Sequence, residues 1–113
     1  MPVTDSDLVN VFAERAAEAA SLLRAVANEQ RLLILCHLLT EGEMSVSGLV
    51  AHVGLSQSAL SQHLARLRED GIVTFRREAQ TLFYRVTDEK AARLLALLRD
   101  LFCPEMTNQG SNS

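Results

Sequence analysis

Two thiols and one row of short polar side chains are where this 113-residue chain could do chemistry. The thiols are Cys36 and Cys103, far apart along the sequence. Chemistry between such a pair requires one thiolate to attack an electrophilic sulfur and a second thiol close enough to resolve the product. A direct disulfide needs Cα atoms within about 7 Å, and additional bridging sulfur atoms relax that limit. Sequence alone does not supply the distance, so small core residue, ligand and redox sensor are all open readings of these cysteines. Neither cysteine is accompanied by an acid–base constellation or a glycine-rich cofactor loop, which argues against a thiol enzyme.

The polar row is Gln57, Ser58, Ser61 and Gln62, followed by His63. Glutamine can pair two ways with adenine and serine can serve several bases, so the row suits recognition of base edges in a major groove. Arg66, Arg68, Arg76, Arg77 and Arg85 add charge for phosphates on either side of it, with Gln80 close behind. Net charge is −3, which fails the simplest test for a nucleic-acid binder, but the distribution is uneven. Residues 1–55 hold three arginines against seven carboxylates, whereas residues 56–87 hold five arginines against three. Positive charge is therefore concentrated where the polar row lies, and the acidic remainder opposes non-specific DNA binding.

The elements that must position these groups follow from periodicity. Leu8, Val11, Phe12, Ala16, Ala19, Ala20 and Leu23 recur at helical steps from Asp5 to about Leu23. Asn28 can cap a second helix with an apolar stripe of Leu32, Leu35, Cys36 and Leu39, ended by Glu41 and Gly42. Ser45 can cap a short third helix bearing Val46, Leu49, Val50 and Val53, closed by Gly54. Leu55-Ser56 leads into a fourth, in which Leu60, Leu64 and Leu67 point inward and Gly71 takes the left-handed position after its end. A short helix joined to a longer one through Gly-Leu-Ser is the spacing of a helix-turn-helix, with the polar row on the outer face of the second.

After Gly71 the period becomes two: Val73 and Phe75, then Leu82, Tyr84 and Val86, predict a hairpin with Arg77-Glu78-Ala79-Gln80 as its polar tip. That tip is placed to touch a DNA backbone or minor groove. Thr87 or Asp88 caps a last helix whose Leu94, Leu95, Leu97, Leu98, Leu101 and Phe102 form an apolar surface broad enough to call for a partner helix. Pro104 stops it, and residues 107–113 read as a disordered polar tail, leaving residues 1–106 as one domain.

The segment Leu-Ser-Gln-Ser-Ala-Leu-Ser-Gln-His-Leu-Ala-Arg-Leu-Arg-Glu-Asp-Gly-Ile-Val, residues 55–73, resembles the recognition region of the ArsR/SmtB family of bacterial repressors, and the likeness covers about residues 20–103. The resemblance implies a mainly α winged helix-turn-helix of five helices with a small β-hairpin wing. It also implies a homodimer built on the first and last helices, which leaves double-stranded operator DNA when an inducer acts. Many family members bind soft metals through a Glu-Leu-Cys-Val-Cys-Asp-Leu box. The matching residues here are Glu43-Met44-Ser45-Val46-Ser47-Gly48-Leu49, with hydroxyls for both thiolates and Gly for the Asp. The other common family site uses Asp and His on the last helix, and no His follows Asp88. No metal and no cofactor is therefore expected.

What remains, Cys36 within Arg31-Leu-Leu-Ile-Leu-Cys-His-Leu-Leu and Cys103 within Leu101-Phe-Cys, resembles the dithiol persulfide and redox sensors of that family, the BigR, SqrR and HlyU group. The resemblance implies that reactive sulfur species or oxidants bridge the two thiols and lower DNA affinity. The alternatives are a regulator of the same family sensing a metal or another signal, and a HlyU-like role that raises transcription by displacing another repressor with the same DNA-binding chemistry. Arg99, one helical turn before Cys103, favours that thiol as the first to react, since Cys36 has Leu32 and Leu33 at the corresponding places, while the negative end of the last helix argues the other way. His52 and His63 read as surface or DNA-side residues and His37 as structural.

Acids near the N-terminus and the lack of an apolar run there argue against a secretory signal. The longest apolar stretch, Leu32–Leu39, is far short of the roughly 20 residues a membrane helix needs. A cytoplasmic, non-enzymatic regulator with no membrane partner is the expectation.

Overall fold

The computed structural model describes residues 5–103. Their order is α1 (Asp5–Val26), α2 (Glu29–Glu41), β1 (Met44–Ser45), α3 (Val46–Val53), α4 (Gln57–Glu69), β2 (Val73–Glu78), β3 (Thr81–Val86) and α5 (Glu89–Phe102). The expected tail at 107–113 and the stop at Pro104 lie outside the described residues.

Each helix from α2 onward starts where a side chain satisfies free backbone amides. Asn28 Oδ1 accepts from the amides of Gln30 and Arg31 at 2.9 and 3.0 Å. Ser45 Oγ accepts from Gly48 and Ser56 Oγ from Ala59, both at 3.1 Å. Asp88, not Thr87, caps α5, accepting from the amides of Lys90 and Ala91. Gly54 and Gly71 adopt positive φ values of 73° and 75°, the left-handed turn that lets each helix of the pair end sharply.

Leu49 of α3, Leu60, Leu64 and Leu67 of α4, and Ile34, Leu35 and Leu38 of α2 form a core that closes over Ile72 at the root of the hairpin. Fully burying each such side chain contributes about 1.5–3 kcal/mol. The inward face of α2 differs from the expected stripe. Ile34, Leu35 and Leu38 are buried, while Cys36 and Leu39 are exposed. Apolar residues surround α2 almost completely, so its period does not select a face. Contact with α3, α4, β3 and α5 does.

Three further differences are local. Helix α1 runs to Val26 rather than Leu23, because the Arg31 guanidinium reaches back to its last carbonyls, donating to Ala25 O at 2.7 Å and Arg24 O at 3.3 Å. The strands extend through Glu78 and from Thr81, leaving only Ala79 and Gln80 as the tip. The two residues of β1, too short to show a period, pair with β3 to make a three-stranded antiparallel sheet of order β1-β3-β2. At the hairpin root the Ile72 carbonyl accepts from the amides of Thr87 and Asp88, at 2.9 and 3.3 Å, and from the Thr87 hydroxyl.

Helix α1 buries only its last residues, Ala25 and Val26. Leu8, Val9, Val11, Phe12 and Leu23 are exposed along it, as are Leu97, Leu101 and Phe102 on α5. Lys90 of α5 donates to Glu18 of α1 at 2.8 Å, linking the two helices that carry these side chains.

Candidate DNA-binding surface and thiol pair

Successive helical residues are about 100° apart, so an α4 held inward by Leu60, Leu64 and Leu67 turns Ser58 and Gln62 outward and Ser61 to the flank, while Gln57 is exposed at the helix's first turn. All four are exposed, and His63 is half-buried at the edge of the helix. Gln57 and Ser61 line one groove with Gln80 and Thr81 of the wing and Ser47 of α3. The structure thus brings Gln57 and Ser61 together with Gln80, which sequence left as separate features, while Ser58, Gln62 and His63 do not line that groove. Ser47 is an addition, found because the start of α3 borders the same groove.

The five arginines separate into different environments. Arg66 donates to Asp70 at 3.0 Å, one turn later on its own helix. Arg68 lies 4.4 Å above the Phe75 ring, a cation–π contact joining α4 to β2. Arg77 is exposed, with no ion pair among the described residues. Arg85 acts on Glu43 through charge, helping to lower that carboxyl's pKa.

Arg76, expected to serve phosphates, is held by two carboxylates. Its Nε lies 3.1 and 3.0 Å from the two carboxylate oxygens of Glu43, its Nη2 donates to Glu43 at 2.8 Å and its Nη1 donates to Glu78 at 2.7 Å. One face of the guanidinium lies over Phe83 at 4.7 Å. These hydrogen bonds hold the Glu43 carboxyl below its ordinary pKa and push the Arg76 guanidinium upward. Sequence reasoning missed Glu43, although strand alternation at β2 could have separated Arg76 from Arg77.

Both cysteines are free thiols, Cys36 exposed and Cys103 half-buried, so neither is a core residue. Cys36 opens into a mostly apolar cleft of about 230 Å³ between α2 and α5, lined also by Leu39, Thr40, Leu95, Ala96 and Arg99. Cys103 caps the C-terminal end of α5, and its amide donates to the Arg99 carbonyl at 2.7 Å. Arg99 therefore borders the cleft beside Cys36 while preceding Cys103 by one turn, and its charge does not single out Cys103.

His52 Nδ1 donates to the Gly48 carbonyl at 2.8 Å, and its ring lies 5.3 Å from that of His37, centroid to centroid. His37 is thus packed between α2 and α3. Among the described residues no three His, Cys, Asp or Glu side chains group to hold a metal ion. No helix among them is long and apolar enough to cross a membrane.

A short helix, a tight left-handed turn, a capped second helix with a polar outer face and an antiparallel hairpin beside it define a winged helix-turn-helix transcriptional regulator. The family model described as bacterial regulatory protein, arsR family, matches residues 28–74, from the cap of α2 into β2. The chain belongs to that family. It is 51% identical over 90 residues to the transcriptional activator HlyU of Vibrio cholerae serotype O1, covering 80% of this chain and 82% of the relative. It is 46% identical over 95 residues to the biofilm growth-associated repressor of Agrobacterium fabrum, covering 84% and 80%. Among solved structures, reduced HlyU from Vibrio cholerae matches with a TM-score of 0.77 at 50% identity, over 81% of this chain and 96% of that one.

Proposed function

We propose that this regulator is a homodimer that holds operator DNA while Cys36 and Cys103 are free thiols and releases it when reactive sulfur species or oxidants bridge them. The observation that carries the reading is the placement of Cys36: exposed, in a cleft walled by α5, the helix whose C-terminal end bears Cys103. A relative solved in a state described as reduced supports it.

The chemistry balances without a cofactor. The Cys36 thiolate takes the outer sulfur of an organic persulfide, and the organic thiol leaves. The Cys103 thiolate then attacks the new persulfide on Cys36, expelling hydrosulfide and closing a disulfide. Addition of a second outer sulfur before closure gives a trisulfide by the same displacements. Peroxide reaches the disulfide through a sulfenic acid, with loss of water. Cys36, the more exposed thiol, attacks first. The protein acts by binding, with no turnover.

Recognition rests on Gln57, Ser58, Ser61 and Gln62 at base edges, with His63 and Gln80 flanking and Arg66 and Arg77 at phosphates. A second copy covers the apolar residues of α1 and α5, since contiguous exposed patches beyond a few hundred Å² are rare in monomeric proteins. Repression is the primary mode. The 51% identity to a protein described as an activator favours, as a second reading, activation by displacement of another repressor.

The test treats reduced protein with glutathione persulfide, peroxide and glutathione disulfide, recording intact mass and DNA affinity at one fixed salt concentration. A Cys36–Cys103 bridge with a large affinity loss is expected. Unchanged affinity after both thiols are modified overturns the sensing mechanism, and peroxide consumption beyond one equivalent per Cys36–Cys103 pair overturns the non-enzymatic reading.

A further inference from the structure

Arg76 and Arg77 are neighbours in sequence, yet the pleat of β2 sends them to opposite faces of the wing. Arg77 is paired across the ladder with Leu82, and Phe75, on the same face, with Tyr84. Leu82 and Tyr84 line the groove that contains Gln57 and Ser61, so Arg77 belongs to the face beside the recognition helix. Arg76 is paired with Phe83 on the opposite face, where Glu43 approaches from the segment between α2 and β1. Its guanidinium is occupied along both edges by carboxylates and on one face by an aromatic ring. Three of its five N–H donors are thus engaged by carboxylates, on the face away from the recognition helix.

We propose that Arg76 is a positioning residue of the wing, forming with Glu43 a strut that ties the hairpin's back face to the body of the domain. Arg77 is then the cation that the wing offers to the DNA backbone. A forked arginine–carboxylate pair fixes direction as well as distance, which a point charge does not. An isolated exposed pair contributes little to overall stability, so the strut's effect falls on where Gln80 and Arg77 are held. This inference rests on the reading that the chain binds DNA.

The test uses the full-length protein and a duplex selected by the wild type from a random-sequence library, with binding measured across a salt series. Wild-type selection itself tests the DNA-binding reading, separately from the strut. Arg76→Gln removes a positive charge and Glu43→Gln a negative one. If Arg76 bound phosphate, the first would weaken binding and the second would strengthen it.

A strut instead makes both variants weaker by a similar factor, about 5-fold to 10-fold, and the double variant no weaker than either one. The salt slope falls by about 0.9 per protomer for Arg77→Gln, as for one lost phosphate contact, and is unchanged for Arg76→Gln. Exchanging the two residues, Glu43→Arg with Arg76→Glu, restores affinity. Opposite effects of the two single variants, a reduced slope for Arg76→Gln, or no effect of either overturns the proposal.

Discussion

Gln57, in the first turn of α4, and Gln80, at the tip of the wing, line one groove although they come from different elements. The helix proposed to read bases and the hairpin proposed to touch the backbone therefore border a common groove. Gln57→Ala is expected to cost about 1–3 kcal/mol of discrimination between specific and non-specific DNA, the value of one bidentate base contact. Gln80→Ala should weaken both kinds of complex alike. Competition titrations at a single salt concentration check this, and equal losses for the two variants would remove Gln57 from base readout.

For the thiols, accessibility sets the expected order of reaction. With Cys103 changed to Ser, Cys36 should be alkylated several-fold faster than Cys103 in the reciprocal variant, because Cys36 opens to solvent and Cys103 is half-buried. Each single variant should accept sulfur yet form no internal bridge, and should keep its DNA affinity after treatment. Rates from intact-mass time courses decide the order.

The apolar side chains of α1 and α5 give a prediction about assembly. Phe12 is 62% exposed and Leu97 53% exposed in the single chain. Changing either to Glu places charge where a second copy is expected to pack, so sedimentation velocity should show a shift to monomer with operator affinity lost in parallel. A wild-type monomer at micromolar concentration would overturn the dimer.

Acid should loosen the molecule in a defined window. Hydrogen bonding by Arg76 lowers the Glu43 pKa from its ordinary 4.5, and hydrogen bonding by Lys90 does the same for Glu18. A carboxyl with a depressed folded value contributes stability that is fully present above the unfolded value and is lost as pH falls through the folded one. Because both pairs are exposed, urea unfolding should weaken only slightly from this cause below about pH 4.5, the ordinary carboxyl value, and Glu43→Gln should remove its part of that small decline.

Much of this was legible because the relevant signals are local. Asn28, Ser45 and Ser56 cap helices as their types require, and three leucines at helical spacing set the buried face of α4. The face of α2 was not legible, since apolar residues nearly encircle it and tertiary contact chose among them. Nor was the Arg76–Glu43 pair, which joins residues 33 apart whose approach depends on β1 pairing with β3. The cleft beside Cys36 likewise exists only once α5 folds back along α2.

The wing tip supplies a fifth prediction. Ala79 holds a φ of 56°, a region where a Cβ is crowded, so sequence gave no glycine signal for the turn. Ala79→Gly should relieve up to about 1 kcal/mol of strain, offset in part by the greater freedom of glycine in the unfolded chain. A small rise in melting temperature, by calorimetry, is the expected result, and a fall would show that the turn tolerates its alanine without cost.

The Ile72 carbonyl, which gathers the amides of Thr87 and Asp88, makes the root of the hairpin and the start of α5 one fulcrum. From it the 14-residue helix reaches about 21 Å toward Cys103. The six-residue strand β3 ends at the same root, so the helix that leads to Cys103 and the strand that leads back to the wing tip share one hydrogen-bonded anchor.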